Sequence, residues 1–406
     1  MAFEIEEQRI GVHDLRLGMF VCRLDRPWEG TSFPLQGVAL ASVEDLDAIR
    51  AQCEYVYIDL RRQALITPRP ALTRTNLSGT RFRNTVHYVD TAPVEKEAPR
   101  AREALANASE MVDQIFDDIV SGRELSVERV EQAVRPLVAS VLRSADAFFL
   151  VEGLRRHDSY SYSHAIGCSA LAAAFGRHMG FAEDTIVSLA AGGLLMDVGK
   201  TRLPEALLRY PGSLSSAEVD TVRSHVAAGL DIVAGSDITD QDVLDILRTH
   251  HERHDGSGYP DGLAGNVIPI TGRMLGIIDT YDAMVSARPY RAAISRYHAL
   301  RQIYAARNTL FQAEMVEQFQ VCLGVYPTGS LVELSTGEVA VVMAQNQVRR
   351  LRPKVVVLTA PNKQPLEDFH QVDLMMQEAS GGRTVDIARS LAAGDYGIDA
   401  AELFLK

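Results

Sequence analysis

"HHERHDGSGYPDGL", residues 250–263, decides how this chain is read. Two adjacent histidines close an apolar helical stretch, and a glycine-rich segment carrying Tyr259 and Pro260 follows. A lone histidine is more often a surface or core residue than a ligand, so the company this pair keeps is what matters. Working outward, that company is His164 in "YSYSHA", Asp197 and Lys200 in "MDVGK", His225 in "RSHVAAG" and Asp279 in "IIDTYDAM". Each lies on, or at the end of, an apolar helical segment. Imidazoles and carboxylates on buried helices must pair or bind metal, because an unpaired buried ion costs several kcal/mol. Mixed nitrogen and oxygen donors suit iron, manganese, nickel or zinc. One carboxylate shared between two metals, with histidines around it, is the layout of a dinuclear hydrolase. His13, His87, His178, His298 and His370 lack acidic or histidine neighbours at useful spacing and are read as structural.

The segments around these residues set the architecture. From about Ala98 to Ala313 apolar residues recur at helical spacing, as in "ALANASEMVDQIFDDIV" and "SVERVEQAVRPLVASVLRSADAFFLV". "SHAIGCSALAAAFGRHMG" and "DTIVSLAAGGLLMDVG" are apolar all round, as central buried helices are. "SSAEVDTVRSHVAAGLDIV" opens on a capping box at Ser215 or Ser216. Residues 4–62 read as a small α/β domain, with strands in "GMFVCRLDRPW" and "YVYIDL" and a helix in "SVEDLDAIRAQC" capped by Ser42. Residues 63–98 have linker composition. Residues 99–325 form the helical domain, with its core at 150–325. Residues 326–406 form a β-rich extension: two strands around "STGE", a third in "KVVVLTA", and a weakly amphipathic helix over the last thirty residues.

Composition excludes several classes. The 406 residues are 47% hydrophobic and suffice for two or three domains. No apolar run reaches the roughly 18 residues that a membrane span needs. The opening "MAFEIEEQRIGVHDLRLGMF" has acids where a signal peptide needs a basic region, so a cytoplasmic protein without a membrane partner is expected. Cys22, Cys53, Cys168 and Cys322 are scattered, which argues against disulfides and thiolate zinc sites. A net charge of −12 disfavours duplex nucleic acid, whose phosphates demand a broad basic surface, but leaves a small anionic substrate open.

The "HHERHDGSGYPDGL" stretch, followed by "IPITGRMLGIIDTYDAMVSARPYR", resembles the HD-GYP family of cyclic di-GMP phosphodiesterases, with Gly258-Tyr259-Pro260 as the signature tripeptide. The likeness runs from about Tyr160 to Gln320, and the N-terminal stretch resembles the small domain that often precedes such proteins. It implies a mainly α fold: an all-helical HD-type metal-dependent phosphohydrolase domain, a small N-terminal α/β domain and a β-rich C-terminal extension. It implies two divalent transition metals (Fe, Mn, Ni or Zn). Their ligands would be His164, Asp197, His225, His250, His251 and Asp279, with Asp197 bridging. Lys200, matching a lysine that contacts the phosphate, joins Asp197 as catalytic. Arg288, Arg291, Tyr259 and Lys200 would contact the substrate, guanidinium being well suited to phosphate. Tyr160 stands where some members carry a Glu that supports a third metal, so a trinuclear site is not expected.

One departure matters most. The name-giving His-Asp pair is here Met196-Asp197, and the pairs His13-Asp14, His157-Asp158 and His254-Asp255 do not stand in its context. A thioether is a poor ligand for Fe(II) or Mn(II), so the first metal site is expected to be weak or empty. Two functions follow. One is a weakened phosphodiesterase converting cyclic di-GMP to pGpG, GMP or both. The other is a catalytically silent module that binds cyclic di-GMP, a protein partner or, through the helical region, a second copy of itself.

Overall fold

A computed structural model describes residues 7–17, 19–25, 38–40, 43–59, 86–153, 160–286, 293–346, 351–376, 378–379 and 383–398. The chain divides into two compact units, 1–81 and 82–406. The N-terminal unit contains β1 (Glu7–Gly11), β2 (Phe20–Leu24), β3 (Val38–Ala39), α1 (Val43–Gln52) and β4 (Tyr55–Asp59). Its antiparallel sheet runs β1-β4-β2-β3. In β4 the period-two pattern buries Val56 and Ile58 in a core with Val21, Leu24 and, from α1, Leu46 and Ile49. Strand β1, which has little β propensity in sequence, forms because β4 offers it a free edge in register from Glu7↔Asp59 to Gly11↔Tyr55. Ser42, read as a helix cap, lies outside the described residues.

The second unit opens with two long amphipathic helices, α2 (Val94–Val120) and α3 (Val127–Arg143), which pack on each other. Helix α2 thus begins inside the segment read as linker; residues 63–85 of that segment lie outside the described residues. The long pattern over 126–151 is broken at Ser144, whose extended backbone (φ −163°, ψ 103°) separates α3 from α4 (Ala145–Gly153). A fully buried carboxylate ties α2 to α3. Glu97 accepts hydrogen bonds from Arg143 Nε (2.9 Å) and Nη2 (2.7 Å) and from Ser140 Oγ (2.9 Å). Burial works against its charge, but the Arg143 fork and the Ser140 hydroxyl outweigh that and hold its pKa below the ordinary value.

Helices α5 (Tyr160–His178), α6 (Glu183–Leu195), α10 (Gln241–Thr249) and α11 (Ile270–Val285) form the centre. Helix α5 packs on α6 and α11, and α10 packs on α6 and α11. Small residues let these axes approach: Ala170, Ala172 and Ala173 of α5 are fully buried beside Leu189 and Leu194 of α6. Around them lie α7 (Glu205–Leu208), α8 (Ser216–Arg223), α9 (His225–Ala234), α12 (Arg296–Ala305) and α13 (Ala313–Leu323). The capping box belongs to Ser215, which accepts from the Glu218 amide while the Glu218 carboxylate accepts from the Ser215 amide.

The C-terminal part is an antiparallel sheet in the order β11-β5-β6-β7-β8. It is built from β5 (Leu331–Leu334), β6 (Val339–Ala344), β7 (Lys354–Thr359), β8 (Pro365–Asp373) and β11 (Ile387–Ser390). Strand β6 reads as a continuous apolar run because both faces are covered. Val339, Val341 and Met343 meet Leu150 of α4, whereas Ala340 and Val342 meet Leu374 and Val385. The helix expected over the last thirty residues is not what forms in their described part. Short strands β9 (Glu378–Ala379) and β10 (Arg383–Thr384) pair with each other, β11 pairs with β5, and a 3-10 turn follows at Asp395–Gly397. Gly381, Gly382 and Gly394 disfavour a helix there, and the open edge of β5 supplies backbone partners that weak amphipathicity cannot match.

Arg143→Ala should leave the Glu97 charge buried without its main partner and cost about 3 kcal/mol, read as a lower urea midpoint. Adding Glu97→Gln should recover much of the loss, since a neutral amide can still bond Ser140. Because the Glu97 pKa is depressed, its contribution exists above the ordinary value of 4.5 and is lost as pH falls. The gap between wild type and Arg143→Ala should therefore narrow in acid.

Candidate functional site

The helical unit delivers its polar side chains from helix ends. His164 stands in the first turns of α5, and Asp197 follows the C-terminus of α6 at the head of a 3-10 turn, Val198–Arg202. His225 opens α9, His250 and His251 follow α10, and Asp279 lies within α11. These six residues converge on one buried pocket. Asp197, His225, His250 and His251 offer ligand-type atoms all within 4.8 Å of one another, and so do His164, Asp197 and Asp279. The two groups share Asp197.

Backbone carbonyls set the histidine tautomers. His225 Nδ1 lies 2.6 Å from the carbonyl of Val222, and His250 Nδ1 lies 3.1 Å from those of Ile246 and Leu247. A carbonyl only accepts, so each Nδ1 carries the proton and each Nε2 presents a bare lone pair. Those lone pairs face a carboxylate oxygen: Asp197 Oδ1 is 3.4 Å from His225 Nε2 and 3.8 Å from His250 Nε2. Acceptors aimed at acceptors repel. Asp197 Oδ1 and the Nε2 atoms of His225, His250 and His251 are all buried, and none has a hydrogen-bond partner among the described residues. A divalent cation among them would satisfy all four at once, so the residues fit a metal.

The protonation states suit that use. Burial holds the imidazoles of His225 and His251 below the ordinary histidine value, with neighbouring His250 adding to the effect. Burial opposes ionisation of Asp197 and Asp279 as well. Lys200 at Asp197 and His164 at Asp279 overcome it and hold both below the usual carboxylate range. Neutral imidazoles and ionised carboxylates are the ligating forms.

On the other side of Asp197, His164 Nε2 lies 3.1 Å from Asp279 Oδ1 and 3.6 Å from Asp197 Oδ2, while its Nδ1 bonds Asp282 Oδ2 at 2.7 Å. Burial works against the charged imidazole. The acceptors around it, Cys168 and the carboxylates of Asp279 and Asp282, still hold its pKa well above the ordinary value. Lys200 Nζ bonds Asp197 Oδ2 at 2.5 Å from the edge of the pocket, with a third of its side chain exposed. Met196 is 1% exposed and packs with the core.

Close backbone approach explains two glycines. A Cβ on Gly199 would meet the His225 carbonyl oxygen at 1.9 Å, so only glycine lets the 3-10 turn lie against α9. A Cβ on Gly258 would meet the Arg253 amide nitrogen at 2.4 Å, because the loop folds back on the histidine pair. The Tyr259 ring then stacks on His251, centroids 4.6 Å apart. Burial, reinforced by Asp197 and Asp279, pushes its phenol up and keeps it neutral.

Sequence reasoning missed three residues. Asp282 orients His164, and its signal was available as an acid three residues after Asp279 on the same helix face. Buried Glu252 clamps the Gly-Tyr-Pro loop by accepting from the amides of Asp261 (2.8 Å) and Leu263 (2.9 Å), which no local pattern announces. Cys168 joins His164 and Asp282 one turn along α5. Arg288 and Arg291 lie outside the described residues, as does the side chain of Tyr160.

A helical bundle gathering histidines around a shared aspartate is the framework of the HD-domain class, and residues 137–315 match the HD domain family. Residues 7–130 match a domain of unknown function, and residues 331–390 match a KOW domain associated with the HD domain. A cyclic di-GMP phosphodiesterase of Pseudomonas aeruginosa is 32% identical over 368 residues, spanning 88% of this chain and 87% of that protein. The chain belongs to the HD-GYP family. A cyclic di-GMP phosphodiesterase response regulator of Xanthomonas campestris is 36% identical over 157 residues, 38% of this chain and 40% of that protein. A 3′3′-cGAMP-specific phosphodiesterase of Vibrio cholerae is 34% identical over 154 residues, 38% of this chain and 29% of that protein. No helix of the described residues is long and apolar enough to cross a membrane.

Asp282→Asn removes the carboxylate that orients His164, and loss of such a partner lowers metal affinity about 10–100-fold. Titration against a competing chelator should show that fall at the group of His164, Asp197 and Asp279, with the circular-dichroism melt little changed. Wild-type affinity in the variant would refute the orienting role.

Proposed function

We propose that this chain is a metal-dependent phosphodiesterase that hydrolyses cyclic di-GMP to pGpG, GMP or both, with one metal site weakened by Met196. The observation that carries the reading is the convergence of four buried polar atoms without a partner among the described residues, Asp197 Oδ1 and three histidine Nε2 atoms. The substrates named for relatives in the same family point to a cyclic dinucleotide. Such a messenger implies a cytoplasmic location.

In this reading His225, His250, His251 and Asp197 hold one cation, while His164, Asp279 and Asp197 hold the other. Fe, Mn, Ni and Zn all suit these donors. When bound, the cations neutralise charge on the phosphoryl oxygens and lower the pKa of the attacking water. Lys200, at the exposed edge, offers its ammonium to a phosphate oxygen and keeps Asp197 ionised. Tyr259, a neutral phenol on the pocket wall, bounds the substrate on the side of His251. Arg288 and Arg291 complete the phosphate contacts by resemblance. The paired arginines would spread the diester charge as the scissile bond elongates.

Met196 favours a second reading. A buried thioether beside Asp197 leaves the His164 group with three donors, and a protein whose first site never fills would bind cyclic di-GMP without cleaving it. Such a module would signal through a protein partner or a second copy of itself.

Met196→His separates the two. If the first site is only weak, wild-type hydrolysis of cyclic di-GMP should rise with added Mn(II) or Fe(II). The variant should then hold more metal by elemental analysis and turn over faster at low metal, by about tenfold or more. No turnover by wild type at saturating metal, with cyclic di-GMP still bound in a calorimetric titration, would establish the silent module instead.

A further inference from the structure

We infer that a cleft beside the metal-type cluster seats a purine base of the dinucleotide, with Arg223 stacking on the base and the Arg248–Asp261 pair determining which base it takes. The inference rests on the cyclic-dinucleotide reading above. The cleft has a volume of about 530 Å³ and opens between helices α8 and α9 on one side and the Gly-Tyr-Pro loop on the other. That is enough for a base and part of its ribose. Its walls combine the apolar surfaces of Val226, Ala227, Leu230 and Pro260 with two arginines and an aspartate.

Tyr259 belongs to both places. Its ring stacks on His251 of the cluster, and the Arg223 guanidinium lies over the same ring, 4.9 Å from its centroid. A diester held at the cluster therefore has this cleft alongside it, across the Tyr259 ring. Arg223 is half exposed, and among the described residues its ion-pair partner is Asp220 at 3.9 Å. A planar cation so held can stack on a base as it now stacks on the tyrosine. In a chain of net charge −12 the two arginines also give this rim the sign a phosphodiester requires.

The Arg248–Asp261 pair supplies an edge. Arg248 Nε and Nη2 each lie 2.9 Å from the same oxygen, Asp261 Oδ2, so the second carboxylate oxygen is not used by the arginine. Guanine presents the acceptor O6 beside the donors N1–H and N2–H, which a guanidinium next to a carboxylate complements. Adenine presents the donor N6–H beside the acceptor N1, the reverse order, and meets like with like. The pair thus reads guanine over adenine.

The test uses the full-length metal-loaded chain with cyclic di-GMP and cyclic di-AMP as probes. Arg223→Ala should raise KM, or Kd where turnover is slow, for cyclic di-GMP about tenfold through loss of base stacking. Over the same comparison kcat should stay within about threefold, because the contact is formed equally in ground and transition states. Ala227→Trp, which fills the cleft without touching charge, should weaken binding by at least as much. Asp261→Asn should cut the preference for cyclic di-GMP over cyclic di-AMP about tenfold. If wild type neither binds nor cleaves cyclic di-GMP, the functional reading fails and takes this inference with it. If wild type does so and the variants keep its affinity and base preference, the inference alone is overturned. It is equally overturned if Arg223→Ala, still folded by circular dichroism, lowers kcat and leaves KM unchanged.

Discussion

The chemistry of the helical unit turns on one buried carboxylate. Asp197 presents Oδ1 to His225 and His250 and Oδ2 to His164 and Lys200, so every other polar group in the pocket takes its place relative to it. A lone carboxylate at this depth would protonate, since desolvation alone costs several kcal/mol. The lysine three residues on, with His164 adding to it, keeps it charged. Its position is equally constrained. The 3-10 turn that follows presses on α9 through Gly199, and that contact sets the distance between Asp197 and His225.

The second constraint is the tautomer. Helices α8 and α10 each offer a main-chain carbonyl to the Nδ1 of the histidine that follows their last turn, and this aims the Nε2 lone pairs inward. Asp282 does the same for His164 from α11. The donors are therefore oriented before any cation arrives, which lowers the cost of ligation. Helix ends provide this economically, because their last carbonyls have no partner within the helix. The rigid centre of α5, α6, α10 and α11 holds those ends together.

Met196 shows how little the packing notices what the chemistry loses. Its unbranched side chain fills the buried space at the end of α6, and the core closes around it. In the proposed function the penalty falls on one group only: the set around His225, His250 and His251 keeps four potential donors with Asp197, while the set of His164, Asp197 and Asp279 has three. The β-sheet depends on a different anchor. Asp146 of α4 accepts from Thr328 Oγ1 (2.6 Å) and from the Gln345 amide (2.9 Å), joining the sheet to the helical core.

Helical periodicity, the apolar run of β6, the six clustered residues and the Gly-Tyr-Pro signature were all legible in the chain, because each is a local pattern or an ordered series of residue types. So was a capping box at Ser215 or Ser216, and the structure assigns it to Ser215. What the sequence could not determine was decided by contacts between distant segments. Strand β1 exists because β4 has an edge to pair, and β11 forms where amphipathicity suggested a helix because β5 has another. Glu252 and Asp282 acquired their roles when a loop and a helix brought amides and an imidazole within hydrogen-bond reach. The cleft shared through Tyr259 likewise exists only once α8, α9 and that loop meet. Residue types and spacing determined which groups were available to ligate, and the helical turn behind His225 and His250 determined which nitrogen of each faces inward; only tertiary packing decided that these groups meet at one carboxylate, because α5, α9, α10 and α11 must first converge on the end of α6.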